Sequence, residues 1–558
     1  MRDYGWFNSN TGCPVSPSAP AAKTKYGGPR MKKICVFCVL FLTALFCGAA
    51  ESVYNTGKAV AVRSPFDRAL ESAWRKAGLS DVLEASDCVL VRRVYLDLAG
   101  RLPTPEEAMR YVSSKDPRKY EALVETLLRD PGFVALWSMR FGDMLRVKSE
   151  FPINLWPNAV YVYMRRIREF LGKDESYADL VRALLLSGGS NFREPCVNFY
   201  RAHADRSPRG IAQDTLRTLC GLELKTLPEA DQAAWIRIFE EVAFKSTKEW
   251  KEEIVYFKCL PAREIFLPSG APRTIPADGK TPEKDTLVVP GIHRTVPAGG
   301  EARTALADHL SSGEGRRLLA RNLADRTWQW FFGASLCRAD ATGSAELLDL
   351  LADDFMEHGF KFRRLCRMIV LSAAYRSASV QPDAAAKLPH FAAYPIRRLE
   401  AEVLDDAIRD LTGVPSRYSS VIPEPFTFIP KEMRTVEIED GSISSSFLIL
   451  FGRPSRDAGT PDERNDEITA KQRLYLFNSA ELYRRLQQIP RRPDIRKQPS
   501  FAKRIDRCYW LFYSRPATEA EQKILQDRCK AMPPKSRWKF IVDLQWTLVN
   551  SPEFLYRH

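Results

Sequence analysis

Hydrophobic positions along the chain recur mostly with the period of a helix. Tyr120, Leu123, Val124, Leu127 and Leu128 fall at the i, i+3, i+4, i+7 spacing that puts them on one buried helix face. After a short linker at residues 53–64 this rhythm runs to about Leu186, with residues 176–186 repeating it. A polar stretch, 187–209, interrupts, and helical patterning is expected again from Ile211 to about Phe257. Residues 261–300 then turn dense in proline and glycine, which no helix survives, with short extended runs such as Thr286-Leu287-Val288-Val289. From Glu301 helices are expected again at 316–332, 345–358, 361–371 and 397–411. After a second irregular stretch, 413–464, they return at 468–487, 501–513 and from 518 to the C-terminus. The pattern predicts a mainly α fold: two helical domains, 66–260 and 301–558, joined by a Pro/Gly-rich segment at 261–300 with a little β.

Two helix entries stand out. Thr104-Pro105-Glu106-Glu107 and Thr518-Glu519-Ala520-Glu521 each set a capping threonine three positions ahead of a carboxylate, the spacing of a capping box. Each is followed by a related unit, Asp130-Pro131-Gly132-Phe133 in one case and Ser551-Pro552-Glu553-Phe554 in the other. The echo predicts two similar helix pairs, one at each end of the chain.

The start of the chain changes the compartment. Met31-Lys32-Lys33, an apolar run to Cys47 and Gly48-Ala49-Ala50 have the three parts of an export leader cleaved after Ala50, and residues 1–30 read as a mis-called start or a disordered extension. The apolar run is too short to span a bilayer, and no later stretch of the mature chain is long enough. A periplasmic or extracellular protein is expected. Bulky Phe46 before Cys47 argues against lipidation.

The formal charge is +14, but the first 50 residues hold six Lys/Arg and one Asp, so the remainder carries 77 minus 68, or +9. Acidic and basic residues alternate along most of it, which is the pattern of a solvated surface and not of a nucleic-acid binder. Eight cysteines remain beyond the leader, widely spaced; disulfides and buried free thiols are both open.

Longer motifs carry a family resemblance. Residues 93–107, Arg93-Val94-Tyr95-Leu96-Asp97-Leu98-Ala99-Gly100-Arg101-Leu102-Pro103-Thr104-Pro105-Glu106-Glu107, resemble the opening of the planctomycete cytochrome-c-associated (PSCyt) domain of unknown function. Its usual partner, the PSD domain of unknown function, is resembled by residues 320–333, by Ser372-Ala373-Ala374-Tyr375-Arg376, by Arg397-Arg398-Leu399-Glu400, by Phe451-Gly452-Arg453-Pro454 and by Ser514-Arg515-Pro516-Ala517-Thr518. The resemblance implies an exported protein of planctomycetes or their relatives, with a sulfatase-like protein as a partner and with no settled activity. Many relatives hold a c-type haem on Cys-x-x-Cys-His after an Asn-Phe-Tyr-Arg-like segment. Here that segment is Asn198-Phe199-Tyr200-Arg201, but Cys220 stands without a second cysteine or a histidine, so no haem is expected.

Candidate chemistry is sparse. The six histidines form no zinc spacing, so no metal is expected. Asn198, Tyr200, Arg201 and His203 gather polar groups in one segment, which is either a binding site or a surface loop. Arg453 and Arg456 flank Pro454 where a loop is able to offer guanidinium groups to sulfate or carboxylate. Asp97 lies in an apolar strip and needs a partner such as Arg93; the pair is read as a structural polar lock. Asp349 with Asp353, and Asp405 with Asp406, are carboxylate pairs of the kind a glycosidase uses, with helix-surface solvation as the plainer account. Trp328 and its neighbours either pack the core or stack on sugar. The leading expectation is a non-catalytic binding or accessory protein for a glycan or sulfated polymer. A polysaccharide hydrolase and, more weakly, a redox partner are the alternatives.

Overall fold

The first described strand, Asn55–Ala59, pairs antiparallel with Leu83–Ala85 and brackets the helix Pro65–Lys76, whose entry is a complete Ser64/Asp67 capping box. This is a computed structural model, and it describes residues 53–79, 81–270, 273–275, 286–337, 344–379, 391–465 and 467–558. The expected leader lies outside the described residues. Those from Glu51 onward form one compact unit.

Helices Asp87–Ala99, Pro105–Ser113, Lys119–Leu127, Pro131–Met144, Pro157–Gly172 and Tyr177–Leu186 follow. In Lys119–Leu127 the residues that the periodicity singled out, Tyr120, Val124 and Leu127, are buried. The protein is mainly α with small sheets, as the pattern predicts. Helix does not continue to Phe257, however. It ends at Ile236, and Val242–Ser246 and Glu253–Phe257 form an antiparallel hairpin with Gly189–Ser190 on its other edge. Val242, Phe244, Ile254, Val255 and Tyr256 are β-branched or aromatic and suit a pleated surface, which outweighs the helical spacing read there.

The Pro/Gly-rich segment is likewise extended. Arg263–Pro268 pairs with Gly291–Val296 and buries Ile265, Phe266 and Leu267. Beyond it come Ala302–Ser311, Arg316–Phe332, Ser344–Glu357, Phe362–Leu371, Ala401–Thr412, Ala470–Asn478, Ala480–Leu486, Phe501–Tyr513, Glu519–Ala531 and Arg537–Val549. The helix expected over 468–487 breaks at Ser479, whose side chain accepts from Leu482 N–H and caps the second piece.

Pro131–Met144 explains how the chain packs. It is apolar nearly all round, so it must sit inside the protein and not on its surface. Trp137 lies 5.0 Å from Phe362 and 5.3 Å from Phe331, and Phe141 lies 5.1 Å from Phe362, measured between ring centroids. Helices from either side of the Pro/Gly segment therefore share one aromatic core.

Both expected capping boxes are present. Thr104 and Glu107 exchange bonds of 2.7 and 3.2 Å, and so do Thr518 and Glu521. The echo runs deeper than the sequence disclosed. Arg101 bridges Glu107 and Asp130 and lies over the Tyr95 ring; Arg515 bridges Glu521 and Glu553 and lies over the Tyr509 ring. The helices leading into these units, Asp87–Ala99 and Phe501–Tyr513, both stop at a left-handed residue, Gly100 in one and Ser514 in the other.

Candidate anion-binding pocket

A charged residue inside a nearly all-apolar helix has to be paired or to face a cavity. Arg140, in the middle of Pro131–Met144, does both. Its Nη2 donates to Glu400 at 2.8 Å, while its Nε and Nη1 are buried without a hydrogen-bond partner among the described residues. It lines a cavity of about 430 Å³ together with Arg326, Arg397 and Arg464, the ring of Trp330, and the carboxylates Asp143, Glu400 and Asp462.

The walls come from separated parts of the chain. Arg140 and Asp143 ride on Pro131–Met144, Arg326 and Trp330 on Arg316–Phe332, and Glu400 is the N-cap of Ala401–Thr412. The fourth wall is the loop after Pro454, which the Glu463 carboxylate gathers by accepting the N–H groups of Asp457, Ala458 and Gly459 at 2.8–2.9 Å. Gly459 has a φ of +70°, and a Cβ there would stand 2.6 Å from the Met144 carbonyl oxygen, so only glycine lets the loop come this close. Arg326 donates Nη1 to the Gly459 carbonyl at 3.0 Å.

Two ion-pair chains stand behind the pocket. Asp97 accepts from the hydroxyls of Tyr375 and Tyr394 at 2.7 and 3.0 Å and lies 3.1 Å from Arg557, which in turn is 3.8 Å from Glu400. The second runs from Arg456 through Asp143 to Arg464 and Glu402, with contacts of 2.7, 2.7 and 2.6 Å. Burial on its own would push the Glu400 carboxyl up, but the surrounding Arg140, Arg557, Arg464 and Arg397 outweigh it and hold Glu400 well below the usual carboxylate range. Glu400 is therefore a fixed anion and not a proton donor. Arg464 is satisfied by its two carboxylates. Arg326 and Arg397 differ: among the described residues neither has a carboxylate within ion-pair distance, and both rely on backbone carbonyls, Gly459 for the first and Trp330 and Phe331 for the second. Burial pushes the Arg326 guanidinium down to about 10, still charged at neutral pH.

The residues singled out in the sequence are placed as follows. Arg456 is fully buried and donates to Asp143 and to the carbonyls of Val147, Glu439 and Met139. The Arg453 side chain is 3% exposed and donates to the carbonyls of Ile443 and Asp440. Both point inward and hold the pocket loop instead of offering free guanidinium groups. Arg93 does not meet Asp97 directly; it donates to the carbonyls of Tyr375, Ser377 and His558 and lies over the Tyr394 ring at 3.8 Å, so the two share Tyr375 and Tyr394 as intermediaries.

Asn198, Tyr200, Arg201 and His203 are all buried, away from this cavity's lining. Tyr200 donates to the Leu185 carbonyl at 2.7 Å, Asn198 to that of Asn191 at 2.9 Å, and Arg201 pairs with Glu253 at 2.7 Å. His203 Nδ1 meets Asp214 at 2.9 Å, and Cys220 ends a π-helical turn, Leu216–Cys220, with burial pushing its thiol up to about 12. Cys88, Cys196, Cys220, Cys259, Cys337, Cys366 and Cys508 are free thiols. Asp349 and Asp353 pair with Arg321 and Arg317 near the surface. Trp328, Phe331 and Phe332 are core, while Trp330 is half-buried in the pocket wall.

Reasoning from the sequence missed Arg140, Arg326, Arg397, Arg464 and Glu400. The available signal was Arg140, the lone arginine in the largely apolar run 133–144, where burial obliges a partner; Arg326 shares its run with Arg321, Asp325 and Gln329 and carries no such mark.

The fold and this pocket define a helical protein with a buried arginine site shared by both halves of the chain. Family models identify those halves: PSCyt2, a protein of unknown function (DUF1549), matches residues 65–220, and PSD1, a protein of unknown function (DUF1553), matches residues 302–529. The chain thus belongs to the proteins that carry a PSCyt2 segment followed by a PSD1 segment. No curated protein and no solved structure matches it. Among the described residues no helix is long and apolar enough to cross a membrane, and no group of His, Cys, Asp and Glu side chains gathers as a metal site would.

Proposed function

We propose that the protein is an exported, non-catalytic binding protein whose arginine pocket takes an anionic group, a sulfate ester or a carboxylate, carried by a glycan. The observation that supports this reading most is the set of unspent donors in the pocket: among the described residues Arg140 Nε and Nη1 are buried and unpartnered, and Arg326 and Arg397 have no carboxylate of their own. Arginine's planar fork fits the oxygens of sulfate and carboxylate two at a time, and a desolvated wall strengthens each bond. Trp330 adds an aromatic face beside the cations, suited to the C–H side of a sugar ring. The pocket falls within the roughly 300–1,000 Å³ of small-ligand sites. A hydrolase reading gains nothing here, because Glu400, the carboxylate paired with Arg140, is held ionised and has no proton to give. In this reading the protein works without haem.

The test is a glycan array probed with the mature chain, holding sulfated, carboxylated and neutral oligosaccharides. Retention of the charged glycans, weakened at least tenfold in Arg326→Gln/Arg397→Gln and falling as salt is raised, is expected. Equal retention by the double variant, or no retention of any charged glycan, defeats the reading.

A further inference from the structure

A larger opening lies elsewhere in the C-terminal half. It is a groove of about 790 Å³ between the helix Ala480–Leu486 and two serine-bearing loops, 416–419 and 444–446. The loops are held side by side by a two-way backbone exchange, Ser419 N–H to Ser444 O at 2.9 Å and Ser444 N–H to Ser419 O at 3.0 Å. This clasp presents Ser416, Ser419, Ser445 and Ser446 along one wall.

The opposite wall is a helix face. Leu482 and Leu486 bury one side of Ala480–Leu486, so Glu481, Arg484, Arg485 and, just past the helix, Gln488 line the groove from the other. Its apolar surfaces are aromatic: Tyr418, Phe447 and Tyr475, with the Phe447 and Tyr475 rings 5.7 Å apart and Phe447 stacked on Phe451 at 4.4 Å. The aromatic residues are thus braced from behind. At depth lies Asp405, buried, accepting from the Thr435 hydroxyl at 2.8 Å and 3.5 Å from Arg485; Thr435 in turn bonds the Tyr418 hydroxyl at 2.7 Å. Asp406 faces away and caps the turn at Thr435 and Val436 through their N–H groups. The neighbouring carboxylates are therefore divided between a structural role and the groove.

Two side chains on the rim, Arg417 and Glu481, are exposed and make no side-chain hydrogen bond or ion pair among the described residues. Planar side chains with two hydrogen-bonding atoms, such as Arg, Glu and Gln, match the spacing of vicinal hydroxyls, while braced aromatic rings match the C–H face of a pyranose. A groove combining both, floored by a buried carboxylate and open along its length, suits a run of sugar rings better than a compact ion. We infer that this groove is a saccharide-binding site, separate from the arginine pocket and recognising sugar hydroxyls and ring faces in place of an acid group. It deepens the glycan-binding reading but uses none of the same residues, so the two can fail independently.

The experiment is affinity electrophoresis of the mature chain through gels containing neutral polysaccharides (a β-glucan, a mannan and a xylan) and, in parallel, a sulfated galactan. At least one neutral polymer should retard the wild type. That retardation should fall at least fivefold in Arg417→Ala/Glu481→Ala, two exposed positions whose loss leaves thermal stability unchanged, and in Tyr475→Phe more weakly. Arg326→Gln/Arg397→Gln should keep it. Neutral retardation that survives Arg417→Ala/Glu481→Ala overturns the assignment, and so does the absence of retardation by every neutral gel. Loss of sulfated-galactan retardation alone, in the arginine variant, bears only on the arginine pocket.

Discussion

His203 shows what burial does to one residue. Its imidazole is enclosed, bonded through Nδ1 to Asp214, and near the buried cation Arg146, so burial first and Arg146 next lower its proton affinity to about 4. In the unfolded chain it titrates near 6.5. Unfolding therefore takes up a proton between those values, and the stability tied to the neutral ring is complete above about pH 6.5 and drains away as the pH falls toward 4, by about 3 kcal/mol. Thermal melts from pH 7 to 4 should show that loss, and His203→Gln should flatten the slope in this window. An unchanged slope in the variant would mean that other groups carry it. The site's residues were only partly legible. Asp97 was recognised as needing a lock because it interrupts an apolar strip. Arg453 and Arg456 were read as loop residues open to a ligand because the irregular stretch around them hides its burial; nothing local reveals that Asp143 and three backbone carbonyls await Arg456.

The two capping units differ in depth. Arg515 is 5% exposed and holds Glu521 and Glu553, whereas Arg101 is 22% exposed and holds Glu107 and Asp130. Removing a buried partner strands its carboxylates, so Arg515→Ala should cost about 3–5 kcal/mol, and Arg101→Ala about 1–2 kcal/mol because solvent screens what remains. Chemical denaturation of both variants measures this; equal losses would show that the echo is one of sequence and not of environment. Glu463 is the corresponding element of the pocket loop. Glu463→Ala frees three half-buried N–H groups, and a loss of about 1–2 kcal/mol is expected, together with weaker anion binding at the arginine pocket. The capping boxes could be read in advance because each is closed within four residues. The hairpin at Val242–Ser246 and Glu253–Phe257 could not, because strand pairing with Gly189–Ser190 is decided some sixty residues away and its short runs fit helical spacing as well.

For the whole molecule, the aromatic contacts of Trp137 and Phe141 with Phe331 and Phe362, and the ion-pair chains from Asp97 and Arg456 into Glu400 and Glu402, tie the PSCyt2 and PSD1 segments into one interior. Calorimetry should show a single cooperative transition over residues 53–558, and two resolved transitions would contradict a shared core. The helical class was legible because amphipathic periodicity is local; the pocket was not, because Arg140, Arg326, Arg397 and Glu400 converge only when both segments have folded. Anion binding by that pocket is the central claim, and isothermal titration of the mature chain with a sulfated disaccharide tests it most directly. The account predicts saturable one-site binding that weakens at least tenfold in Arg326→Gln/Arg397→Gln while the variant still melts cooperatively. Binding of equal strength in wild type and variant, or no binding by the folded wild type, would contradict it.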